Sequence, residues 1–125
     1  MTDDDEFERR LRDLQQRWGV KYYKLDADNH VVETDLFGWA EFFETGPRFI
    51  DLTEITSQCR VSTVFLGLDH RFWGKGPPVV FETMIFGGPD DIDQSQWRYT
   101  SYDDAVTGHK AAVRQARAAL KQRVK

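Results

Sequence analysis

Apolar side chains at Phe7, Leu11, Leu14 and Trp18 recur at the spacing that lines one helical face, which predicts an amphipathic helix from about residue 4 to 17. Arg9, Arg10, Arg12 and Asp13 then face water, Thr2 or Asp3 can cap the start, and Gly19 follows the end. The pattern changes to short alternating runs at Lys21 to Asp26 and His30 to Glu33. These read as a hairpin turned by Asp26-Ala27-Asp28-Asn29, whose side chains bond nearby backbone. A calcium loop starting at Asp26 would need glycine where Val31 stands and a bidentate glutamate where Phe37 stands, so the turn reading is preferred.

Asp35 can cap a second helix, Leu36 to about Glu44, stopped by Gly46-Pro47. Leu36, Phe37, Trp39, Ala40, Phe42 and Phe43 make it apolar almost all round, and burial is expected in preference to an exposed self-association patch. Beyond Phe49, β-branched and aromatic residues become dense, predicting strands near 49–56, 60–67 and 79–86 and a short one from Trp97 to Thr100. The segments 61–67 and 79–86 are apolar on both alternating faces and read as central strands. Ser101 with Asp104 marks the start of a last helix running to nearly Val124. Its apolar seam is Tyr102, Val106, His109, Val113, Ala116, Leu120 and Val124. The fold expected is α+β, an antiparallel sheet of about four to six strands packed with three helices, in one domain over 1–125.

Composition narrows the setting. At 125 residues, with 40% apolar residues and nine Phe, four Trp and four Tyr, the chain can bury a core. Cys59 is the only cysteine, so neither an intrachain disulfide nor a cysteine zinc cage can form, and a reducing cytoplasm fits. No apolar run approaches the ~20 residues of a membrane helix, and the first residues are acidic, unlike a secretory signal. The net charge of −4 does not suggest a nucleic-acid partner. Arg114, Arg117, Lys121, Arg123 and Lys125 are accounted for by the preference of cations for a helix C-terminus.

Two loops are longer than a hairpin needs. Residues 68–78 separate two strands that a two- to five-residue turn could join, and they carry Asp69, His70, Arg71, Trp73 and Lys75, side chains able to grip an anionic or planar ligand. Gly76 stands where a phosphate-binding P-loop requires Ser or Thr, so that motif is absent. The loop 87–93 places Asp90, Asp91 and Asp93 close together, which reads as a solvated turn before a cation site.

Glu82 and His109 invite a geometric expectation. If the strands are antiparallel neighbours, each lies ~10 Å from the sheet edge where the last helix begins, so the two are level. Buried on apolar faces, each would need a polar partner and could find it in the other. A core pair without chemistry is the plainer version. In the other, His70, Glu82 and His109 act as general acid and base in a small hydrolase or transferase. The histidines lack a short metal-ligand spacing, so neither a metal nor a cofactor is expected.

The run 60–70, then Gly76-Pro77-Pro78, Phe81-Glu82-Thr83-Met84-Ile85-Phe86-Gly87-Gly88, Arg98-Tyr99-Thr100, Ala105 and Gly108-His109 resembles a family of small uncharacterised proteins encoded by tailed bacteriophages and prophages. The resemblance spans roughly residues 22–115, including Tyr23-Lys24-Leu25-Asp26. It implies a host-cell cytoplasmic setting and an accessory role, and brings no activity with it. The function expected is a non-enzymatic binding module acting on a host protein or a small anionic ligand, with the oligomeric state left open.

Overall fold

The computed structural model describes Glu6, Arg9, residues 21–70 and residues 76–123. Apart from Glu6 and Arg9, the helix expected over 4–17 lies outside the described residues. A hairpin of β1 (Tyr22–Leu25) and β2 (Val31–Thr34) leads into α1 (Leu36–Thr45). Strands β3 (Phe49–Thr56), β4 (Cys59–Phe65), β5 (Phe81–Gly87) and β6 (Gln96–Tyr99) follow, and α2 (Tyr102–Arg123) closes the order. All strand pairs are antiparallel, so the α+β class holds.

The six strands form two sheets, β1-β2 and β3-β4-β5-β6, where sequence patterning suggested one. The separation begins at Gly67, whose φ of 75° turns the chain out of the ladder immediately after β4. The Tyr22–Leu68 bridge and the Tyr23 N–H donating to Gly67 O, 2.7 Å, tie the hairpin to that end of the larger sheet, and Tyr23, Leu25 and Val31 pack into the cluster around Phe65 and Phe81. Trp39 and Phe43 lie where a Gly67 side chain would be, so α1 packs against this turn.

The local signals act as expected. Asp26 Oδ1 accepts from the Asp28 and His30 N–H groups, both at 2.9 Å, which closes the hairpin turn. Those bonds hold the Asp26 carboxyl below its ordinary pKa, with the His30 amide the largest cause. Asp35 Oδ1 caps α1 through the Gly38 N–H at 2.8 Å, and Ser101 Oγ caps α2 through the Asp104 N–H at 3.1 Å. Helix α1 is half-buried, not buried. Trp39 packs on Tyr22 and Phe43, and Phe42 meets Phe65 edge-on, while Phe37 stays exposed.

In β4, Cys59, Val61, Thr63 and Phe65 are buried and the residues between them are not; in β5 the buried set is Phe81, Thr83 and Ile85. Helix α2 lies over this face. Val61 and Ile85 meet Ala112, Val113 and Ala116, and Phe65 and Phe81 meet Ala105 and, from α1, Phe42 and Phe43. The small residues of α2 permit close approach, so one helix covers strands β3 to β6. Cys59 lies in this core with its thiol pKa raised, by burial first and by Asp93 second, an unreactive setting.

Candidate functional site

Alternation along β5 decides the fate of the expected acid/base pair. Thr83 faces α2, and Glu82 therefore projects from the opposite side of the sheet. There its Oε2 accepts from Arg98 Nε at 3.1 Å across the β5–β6 pair. His109 is on the other side and never meets it. The helix covers the side on which β4 and β5 carry no charge, which the alternation of Arg60 and Ser62 with Val61, Thr63 and Phe65 could have signalled. Because the Glu82–Arg98 pair is partly solvated, replacing Glu82 with Gln is expected to change stability by less than about 1 kcal/mol in chemical denaturation.

His109 finds its partners among threonines. The ring is 2% exposed; Nδ1 lies 2.7 Å from Thr63 Oγ1, and Nε2 lies 2.8 Å from Thr53 Oγ1 and 3.5 Å from Asp51 Oδ2. Thr63 Oγ1 is also 2.6 Å from Thr83 Oγ1, and both hydroxyls are buried. A carboxylate can only accept, so Asp51 favours the proton on Nε2. Nδ1 then accepts from the Thr63 hydroxyl, which in turn accepts from Thr83. Burial pushes the His109 pKa down, and Asp51 opposes this more weakly.

Asp51 reaches this ring because the backbone breaks its alternation. The β3–β4 register shifts between Phe49 and Asp51, so that Ile50 packs in the core and Asp51, next in the chain, also lies on the α2 side. Sequence periodicity alone could not place a bulge, and neither Asp51 nor the three threonines stood out as candidates. The hydroxyl next to His109 Nδ1 is sealed in the core, which makes the network a structural lock.

The loop candidates divide. Asp69 Oδ1 accepts from the Val79 N–H at 2.9 Å, and the His70 N–H donates to Val79 O at 2.8 Å, so both residues hold the base of the 68–78 connection closed. Arg71, Trp73 and Lys75 lie outside the described residues. In the other loop, Asp93 Oδ1 accepts from the Gly87 N–H at 2.7 Å and Ile92 is buried, so an acid and an apolar anchor shape the turn. On α2, Arg114, Arg117 and Lys121 are exposed, while the expected cations Arg123 and Lys125 have no described side chains.

The sheet surface facing away from α2 carries the most open chemistry. Its rows run Glu54, Arg60, Phe86; then Leu52, Ser62, Met84, Gln96; then Phe49, Val64, Glu82, Arg98. Phe49 and Leu52 are each 60% exposed and Phe86 is 38% exposed. Arg60 lies over the Phe86 ring at 4.9 Å and Arg48 over Phe49 at 5.2 Å. Both described helices pack their apolar sides on the opposite face. No family model, curated protein or solved structure matches the chain.

Proposed function

We propose that this chain is a non-enzymatic binding module that engages a protein partner through the open face of its four-stranded sheet. The observation carrying this reading is the exposure of Phe49, Leu52 and Phe86 on one contiguous surface, interleaved with charges of both signs. Large apolar groups rimmed by polar ones mark association surfaces, and arginine stacked on aromatics is enriched in such interfaces.

Other partners draw less support. Glu54 and Glu82 offset two of the three arginines of the face, Arg48, Arg60 and Arg98, which leaves little of the positive field that nucleic acid or a small anion would require. The anion reading rests on Arg71, Trp73 and Lys75, outside the described residues. A hydrolase or transferase built on Glu82 and His109 loses its geometric basis, because the two occupy opposite sides of the sheet. The phage or prophage resemblance makes the host-cell cytoplasm the place of action and its proteins the pool from which partners are drawn.

The test compares the wild-type chain with Phe49→Glu as baits in host-cell lysate, followed by affinity measurement on the captured protein. A carboxylate in place of a large apolar anchor that the partner covers costs about 2 kcal/mol or more, so binding should weaken about 30-fold or more while circular dichroism stays unchanged. A captured partner held equally well by the variant would defeat the reading.

A further inference from the structure

We infer that a second copy of this chain occupies the open sheet face, giving a two-fold dimer in which the two four-stranded sheets pack face to face with α2 outermost on both sides. The inference rests on reading that face as the working surface and names its partner.

Size is the first support. Strands of eight, seven, seven and four residues, at about 3.3 Å per residue and about 4.8 Å between strands, make a face of about 400 Å² in projection. With side-chain relief, its accessible surface is of the order of the ~800 Å² that each partner contributes to a stable interface. Sheet-on-sheet packing about 10 Å apart is also the ordinary way of covering such a surface.

Charge is the second support, and it selects a copy of the same chain over a partner of opposite sign. The face holds two acids, Glu54 and Glu82, and three bases, Arg60, Arg98 and, over Phe49 at its corner, Arg48, so both signs are present and the excess is a single positive charge. Glu54 stands opposite Arg60 and Glu82 opposite Arg98, so each sign already has a neighbour of the other. An isologous contact brings a surface against itself, which a face of one sign would resist and this one does not. With a two-fold axis along the strands, β4 of one copy overlies β5 of the other. Arg60 then approaches Phe86 of the second copy, repeating between chains the cation–π contact made within each.

Strand β3 points the same way. It is an edge strand carrying Phe49 and Leu52, yet register shifts in its ladder with β4 near both ends make the strand irregular, a device that opposes edge-to-edge pairing. Association is thereby directed to the face and away from the edge.

Analytical ultracentrifugation at about 100 µM, where a micromolar dimer is almost fully associated, provides the test. The wild type is expected at twice 14.6 kDa and Leu52→Glu at 14.6 kDa, with unchanged circular dichroism. Arg117→Glu, on the exposed side of α2, should retain the double mass. A wild type at 14.6 kDa overturns the dimer, and a Leu52→Glu variant that stays dimeric overturns this face as its interface. A monomer in which Leu52→Cys resists a water-soluble maleimide assigns the cover to another part of the same chain, which equally overturns the second copy. If a monomeric wild type captures a host protein that Leu52→Glu loses, the binding reading survives and only the second-copy assignment fails. If it captures nothing through this face, both fail.

Discussion

Replacing His109 with alanine is expected to destabilise the fold by about 4 kcal/mol, the largest effect of any side chain outside the apolar core. Removal of the imidazole leaves a cavity between α2 and the sheet. It also leaves the hydroxyls of Thr63, Thr83 and Thr53 without the ring that joins them, and two of these are fully buried. Urea denaturation of wild type and variant measures the loss. A cost below about 1 kcal/mol would mean that the network contributes little.

The same residue sets an acid limit. Its pKa in the folded chain is lowered, chiefly by burial, so below the ordinary histidine value of about 6.5 the unfolded chain takes up a proton that the folded chain refuses. The contribution is therefore complete above about pH 6.5 and declines as pH falls toward the depressed folded value. Asp51, 55% exposed at its side chain, reduces the shift without reversing it. Denaturation midpoints of the wild type should fall as pH drops below about 6.5, and His109→Ala should remove that slope. The depressed Asp26 carboxyl acts in a separate range, because its stabilisation is lost only as pH falls through the carboxylate region.

Gly87→Ala is the second large effect, expected at about 3 kcal/mol. Its φ of 86° lies where an alanine is strained, and the added methyl would fall 1.8 Å from the Gln58 carbonyl oxygen. That oxygen belongs to the β3–β4 turn and accepts from the Gly88 N–H, so relief of the clash requires backbone separation at the end of the β4–β5 ladder. The Asp93 bond to the Gly87 N–H is strained with it. A thermal midpoint lowered by several degrees is the expected reading, and an unchanged midpoint would contradict the close approach.

Much of the fold could be read from the chain because the governing interactions are local. Asp35 and Ser101 are helix caps, Asp26 is a turn former and Gly46-Pro47 is a stop, each through bonds spanning a few residues. The 49–56 strand followed from β-branched and aromatic density, and much of the α2 seam from periodicity, which missed the buried Ala105 and Ala112. The site was far less legible. The loop 68–78 drew attention through its composition, yet its described residues Asp69 and His70 close its own base.

Among the described residues, the sequence by itself determined which segments are strands and helices, that the strands pair antiparallel, and that His109 lies on the buried seam of the last helix. These depend on alternation, caps and turns, whose range is a few residues. Only tertiary structure decided which side of the sheet α2 covers, and hence that Glu82 faces Arg98 and His109 faces threonines. It also decided, through one bulge at Ile50, that Asp51 meets His109, and through the turn at Gly67 that the strands divide into two sheets. The physical reason is that a strand has two faces of similar local cost, and burial against a partner distant in the chain selects between them.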